Sequence, residues 1–214
     1  MPAAWTGARA VKTRRGVLIV VSGPSGVGKD SVLRMYMPGK TCVRLSISST
    51  TRPPRPGEID GQHYNFVSRE TFEGMIARHE MLEYAEYAGN YYGTPKKWVE
   101  ETLSSGLHVI LEIELIGALK IRALAPEAVF VFLMPPSLGA LKDRLIGRGT
   151  ETGTSIAKRM KAAQNEILHA GAYDYIIVNH QLRESCEMLD IVINAAALRT
   201  SHQKDIIQEV IGHA

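Results

Sequence analysis

The sequence has little cysteine: Cys42 and Cys186 are the only two in 214 residues, and they lie far apart. That excludes a disulfide framework and a zinc site built on paired cysteines, and it suits a reducing compartment, here read as the cytoplasm. Long apolar runs are missing too. None approaches the roughly 20 residues that cross a bilayer, so no membrane helix and no membrane partner is expected. Aromatic residues make up 7% of the chain, with 22% charged and 45% hydrophobic, the balance of an ordinary globular domain. The seven histidines show no H-E-x-x-H or other ligand spacing, and each reads as a surface or satisfied core residue. Strong charge is also lacking. The net value is +3, but Arg9, Lys12, Arg14 and Arg15 carry +4 in an acid-free leader, leaving the remainder near −1. The basic balance belongs to residues 1–15, so no nucleic-acid partner is expected. That leader has no apolar h-region, which excludes a secretory signal. A disordered extension is favoured over a short, serine-poor transit peptide.

What the chain does contain is concentrated in VLIVVSGPSGVGKDS, Val17 to Ser31. Val17 to Val21 is a continuous β-branched and apolar run, as expected for a strand buried on both faces of a parallel sheet. Gly23, Pro24, Ser25, Gly26, Val27, Gly28 and Lys29 then fit the first seven positions of G-x-x-x-x-G-K-[ST]. In such a loop, glycines let backbone N–H groups turn around phosphate oxygens, and the following helix start adds partial positive charge. Lys29 supplies a point charge for the β- and γ-phosphates. Asp30 stands where the pattern has a hydroxyl, which Ser31 offers one place later. Two readings of Asp30 stay open: an acid stabilising the first helical turn, or a group linked indirectly to magnesium.

Downstream, Asp30 to Met37 reads as a helix closed by Pro38-Gly39, and Val43 to Ile47 as a second strand. Ser48 to Phe66 holds three prolines, two glycines and two arginines without helical periodicity, and is expected to be a functional loop. Thr71 to His79 reads as a helix with Phe72, Met75 and Ile76 on one face, and Pro95 to Ser105 as another. Leu82 to Tyr92 is rich in Tyr and Glu and meets a turn at Gly89-Asn90. Leu107 to Ile113 is a buried-strand candidate with Glu112 and Glu114 at its carboxyl end. A helix over 116–124, a strand over Ala128 to Leu133, a helix over Leu138 to Ile146 and a polar loop over Arg148 to Thr154 follow. A long helix, Ser155 to Leu168, and a last strand, Tyr175 to Val178, come next, with helices filling the rest. Apolar strands alternating with helices imply an α/β fold with a parallel sheet covered on both faces.

A phosphate loop alone leaves the activity open. Ser48, Arg52, Arg55, Glu58 and Tyr64 form a second constellation, in which two planar guanidinium forks are held by flanking prolines. Taken alone, those arginines fit a solvated linker as well as a phosphate grip. Glu83 alone fits an exposed acid at the end of a helix.

Together with the phosphate loop, TTRPPRPGEIDGQHYNFVS, EYAEYAGNYYGTP and LIGRGTE resemble the bacterial guanylate kinase family, from about Gly16 to Ile193. The resemblance implies ATP-dependent phosphorylation of GMP, with dGMP as a further acceptor, and Mg2+ arriving with ATP. It implies a three-layer P-loop NTPase core over 16–47, 106–137 and 169–214, an inserted GMP-binding region over 48–105, and a small lid with flanking helices over 138–168. Carried over by position, the GMP phosphate grip falls on Arg52, Arg55, Tyr64 and Tyr92. The guanine contacts fall on Ser48, Glu83, Thr94 and Glu114, with Glu58 and Glu112 beside them. Lys29, Arg52 and the lid residues Arg144, Arg148 and Arg159 would serve transfer. Asn179 would meet adenine, and Ser31 would be the Mg2+ ligand. The chain departs from the family pattern at His180, usually Asp, at Ile116, usually Gln, and at Glu114, usually Asp. Oligomerisation stays open. Two other readings compete: a ribose 1,5-bisphosphate phosphokinase, whose loops often read G-K-D-S, and a non-catalytic guanylate-kinase-like module that binds phosphopeptides.

Overall fold

The computed structural model describes residues 15–87, 89–147 and 153–212. The leader and Arg148 with most of its polar loop therefore lie outside the described residues. The strand predicted from the first apolar run is β1 (Leu18–Ser22), buried along its whole length. It is central in a five-stranded sheet of order β2-β7-β1-β8-β9. The others are β2 (Val43–Leu45), β7 (His108–Glu112), β8 (Val129–Met134) and β9 (Tyr175–Val178), and every pairing is parallel.

Successive side chains of a strand face opposite ways, and here both faces are covered. Ile19 and Val21 pack with Val32 and Leu33 of α1 (Lys29–Tyr36) and with Leu189 and Ile193 of α7 (Leu182–Ala197). Leu18 and Val20 pack with Val99 and Leu103 of α3 (Lys96–Ser104) and Ile121 of α4 (Leu115–Leu124). Each such side chain contributes roughly 1.5–3 kcal/mol on burial. The result is the expected three layers. A buried network ties α1 to α7. The Tyr36 hydroxyl donates to Asp190 Oδ1 at 3.0 Å, and Lys40 forms an ion pair with the same carboxylate. Burial, reinforced by Asp190, pushes the Tyr36 phenol far above its ordinary range. Since removing one partner of a buried ion pair is costly, this network fixes the helix that carries Lys29. His108 is a satisfied core histidine, its Nδ1 accepting the Val17 N–H at 3.0 Å.

Ser48 to Phe66, expected as a functional loop, supplies two short strands to a second sheet. That sheet, four-stranded and of order β4-β3-β6-β5, is built from β3 (Ser49–Thr50), β4 (Asn65–Phe66), β5 (Met81–Tyr87) and β6 (Asn90–Pro95). β5 and β6 form an antiparallel hairpin in which Glu83 faces Thr94, and β3 joins β6 antiparallel. The two-residue strands escape any periodicity rule because long-range pairing, not local pattern, holds them. Between them α2 (Arg69–Ala77) begins two residues before the sequence suggested. The Ser68 hydroxyl caps it, accepting from the Thr71 N–H. Phe72 from its buried face stacks on Tyr91, with ring centroids 5.2 Å apart.

Two helices follow β8: α5 (Leu138–Ile146), as expected, and α6 (Gly153–Leu168). They meet through a small apolar cluster of Leu141, Leu145 and Ala163, separate from the sheet core. Helix α8 (Lys204–Gly212) ends the described chain. Among the described residues no helix is long and apolar enough to cross a membrane.

Candidate active site

The loop after β1 is shaped by three glycines with left-handed backbone: Gly23 at φ 152°, Gly26 at 90° and Gly28 at 99°. Space enforces the same choice. A Cβ on Gly23 would lie 2.3 Å from the Leu133 carbonyl oxygen, and one on Gly26 would lie 2.7 Å from Leu145 Cδ2. Strand β8 and helix α5 therefore press directly on the loop, which no side chain could line. Lys29, the first residue of α1, is half-buried, and its Nζ donates to the Gly23 carbonyl at 2.5 Å. The loop is also held from the opposite side. Arg144 Nη1 and Asn179 Nδ2 both donate to the Val27 carbonyl, at 2.9 and 2.8 Å, while Arg144 Nη2 donates to the Asn179 carbonyl at 2.9 Å. Asn179 Oδ1 in turn accepts from the buried Ser185 hydroxyl at 2.9 Å. A cavity of about 280 Å³ opens here, lined by Gly28 and Ser31 on one side and by Arg144, Asn179, His180 and Leu182 on the other.

The second sheet and the turn before it gather another cluster of side chains. Arg52 makes a two-pronged ion pair with Glu58, Nη1 to Oε2 and Nη2 to Oε1, each at 2.9 Å. The Arg55 N–H adds a bond to Glu58 at 2.6 Å. The Arg52 fork lies over the Tyr64 ring at 5.5 Å, and Tyr64 meets Tyr92 edge-on at 6.0 Å. Arg52 holds the Glu58 carboxyl below the ordinary carboxylate range. Glu58 is thus engaged as the partner that aims Arg52, while Arg55 is exposed.

Deeper in, Glu83 is only 7% exposed, and its Oε1 accepts from the Thr94 hydroxyl at 2.8 Å. Burial pushes its carboxyl above the ordinary range, with Thr94 and the Lys120 charge pulling it partly back. A Cβ on Gly117 would lie 2.7 Å from Glu83 Oε2, so α4 approaches that oxygen backbone-first. Glu112, at the end of β7, is likewise raised by burial and pulled back by Lys29. The Tyr64 hydroxyl is raised by burial and then by Glu112. Glu112 is thus coupled electrostatically both to Lys29 and to Tyr64.

The remaining expected residues are placed as follows. Ser48 is half-buried beside β3, and its carbonyl accepts the Asn65 N–H at 2.9 Å. Glu114 is exposed at the start of α4, next to the largely exposed Ile116. Asp30 is exposed and pairs with Arg34 at 3.1 Å one turn on, which supports the helix-stabilising reading. Ser31 is exposed at the cavity, and Arg159 is half-buried on α6. Sequence reasoning missed Glu166 of α6. Burial raises its carboxyl, Lys29 pulls it back, and Glu114 pushes it up again. Its position one helical turn after the buried Ala163 was the available signal.

A glycine-rich loop between a buried strand and a helix, with the strand order and lysine described, defines a P-loop nucleotide-binding protein of the three-layer α/β kind. The family model described as guanylate kinase matches residues 15–196. The guanylate kinase of Halalkalibacterium halodurans is 50% identical over 185 residues, 86% of this chain and 91% of that protein. That of Streptococcus pneumoniae R6 is 49% identical over 200 residues, 93% of each. The crystal structure of guanylate kinase from Anaplasma phagocytophilum superposes with a TM-score of 0.73 at 34% identity, covering 90% of this chain and 92% of that one. The chain belongs to the guanylate kinase family.

Proposed function

We propose that the protein transfers the γ-phosphoryl group of ATP to the phosphate of GMP, giving ADP and GDP. The observation that carries this reading is the loop shaped by Gly23, Gly26 and Gly28 with Lys29 at the start of α1, in a chain that matches guanylate kinases over most of its length. The loop from Gly23 to Ser31 takes the ATP phosphates, with Lys29 as its cation. Arg52, Arg55, Tyr64 and Tyr92 hold the GMP phosphate, and Ser48, Glu83, Thr94 and Glu114 face the base. Guanine has donors at N1 and N2 that one carboxylate accepts together. Adenine has an acceptor at N1 and no 2-amino group, so it leaves that carboxylate unpaired.

A phosphate oxygen of GMP attacks the γ-phosphorus as the bond from that phosphorus to the bridging oxygen of ADP breaks. The attacking oxygen is already anionic, so no general base is needed, and positioning and charge carry the rate. Arg144, Arg148 and Arg159 supply cationic charge. Arg144 is held on two carbonyls in the state described, so its use on phosphate requires closure of α5 and α6 to exchange those bonds. The exposed Ser31 hydroxyl is a hard oxygen donor beside the loop, and it fits Mg2+ better than Asp30, which Arg34 engages. Bound with ATP, that ion would neutralise phosphate charge. Two cysteines without a bridge support a cytoplasmic setting.

A coupled assay of ADP release tests this against GMP, dGMP, AMP, UMP and ribose 1,5-bisphosphate. GMP and dGMP turn over, with AMP and UMP at least about 100-fold lower in kcat/KM. Turnover of the ribose bisphosphate with GMP inert assigns the protein to another reaction.

A further inference from the structure

The cavity beside the phosphate-binding loop has more polar groups on its wall than it has free polar groups. Asn179 gives Nδ2 to the Val27 carbonyl and takes the Ser185 hydroxyl on Oδ1. Arg144 gives its two terminal nitrogens to the carbonyls of Val27 and Asn179. Both side chains are therefore engaged in building the loop. Ser31 stands at the helix start, on the phosphate side. Leu182 is an apolar wall. His180 is exposed on this wall, and its backbone N–H is already bonded to the Val178 carbonyl, which fixes its place at the end of β9. Its imidazole lines the cavity with polar atoms that none of these bonds engages.

Resting on the donor-site reading above, the geometry points to His180 as the residue that sets the specificity for the donor base, and to a donor site that accepts both adenine and guanine triphosphates. The reason is polarity. A neutral imidazole carries one N–H donor and one bare acceptor nitrogen, and either can face the ligand, depending on the tautomer. The 6-position of adenine presents an amino donor, whereas that of guanine presents a carbonyl acceptor. An imidazole meets each with one hydrogen bond. A group that only accepts would pair with adenine and oppose guanine; a group that only donates would do the reverse. Leaving a polar edge unpaired, or opposed by a like group, is what creates discrimination.

The test uses the full chain with dGMP as acceptor, so that the dGDP formed is distinct from the GDP that GTP leaves behind. The ratio of kcat/KM for ATP to that for GTP is read by chromatography of dGDP. In the wild type the ratio lies within about tenfold of unity. His180→Asp, an acceptor only, raises it by about tenfold or more, and His180→Lys, a donor only, lowers it by a similar factor, one hydrogen bond being worth about that much. A merely structural role would depress both donors together and leave the ratio where it was. The inference is overturned if the wild type prefers ATP by more than about 100-fold, or if the two variants fail to move the ratio in opposite directions. Lys29→Ala separates this from failure of the donor site itself. That variant loses activity with ATP and GTP alike if the loop is the donor site, and retains it with both if the loop is not.

Discussion

Lys29→Ala lowers kcat/KM for ATP and for GMP by about 10³-fold while the chain keeps its fold. The size follows from the role. Phosphoryl transfer gives a protein little covalent work, so losing one preorganised cation at the developing charge costs on the order of 10²–10³ in rate. Survival of the fold follows from the packing, since α1 is held by Val32, Leu33 and Tyr36 and not by its first residue. A thermodynamic signature accompanies the kinetic one. Glu112 and Glu166 are half-buried acids whose carboxyls are pushed above the ordinary range by burial and drawn back down by Lys29. An acid raised in the folded state binds more protons there than in the unfolded chain, so stability falls as pH rises through the window between the two values. Removing Lys29 lifts both carboxyls further and widens that window. The variant's drop in melting temperature is therefore larger at pH 7 than at pH 5, measured by calorimetry at both. Full turnover in Lys29→Ala, or a drop that is larger at pH 5, contradicts the assignment.

Glu83→Gln narrows the preference for GMP over AMP by about 10²-fold or more, almost all of it through loss of GMP use. In the folded chain Glu83 is buried, with Thr94 on one oxygen and the bare backbone of Gly117 beside the other. An amide replaces one acceptor by a donor, which then opposes a donor of guanine instead of accepting it. For a buried charged acceptor that loss is about 2–3 kcal/mol. The pH dependence has a definite sign. On the proposed reading guanine needs the ionised carboxyl, and burial has raised its pKa. As pH falls from neutral, KM for GMP rises earlier than it would for an exposed glutamate. Glu83→Gln lacks that inflection. A variant that keeps both the preference and the inflection removes Glu83 from base recognition.

The nucleotide loop was legible because its signal is local: β-branched residues before it, glycines at fixed spacing, and a lysine where a helix starts. The three central core strands were legible for the same reason: β1, β7 and β8 are apolar runs buried along nearly their whole length, whereas the edge strands β2 and β9 are partly exposed. The second sheet was not. Its hairpin is Tyr- and Glu-rich and partly exposed, and β3 and β4 are two residues each, so only contacts across the chain define them. Chemistry alone could name Arg52 and Glu58 as a constellation. It could not tell that Glu58 is occupied by Arg52, because that depends on how the proline-rich turn folds back. Asn179 and Arg144 show the same limit. Both were placed on ligands by position, and both are found bracing the Val27 carbonyl. Glu166 escaped because it belongs to no motif. Its relevance comes from the helix face it occupies and from the charge of Lys29 nearby.

The decisive measurement follows the phosphate itself. ATP labelled in its γ-phosphate is incubated with GMP, Mg2+ and the full chain, and the products are separated. The label is expected to appear in the β-phosphate of GDP, with one ADP formed for each GDP. Label released as free phosphate in the presence of GMP, or retained in ATP while GMP is unchanged, contradicts a transfer between two facing nucleotide sites.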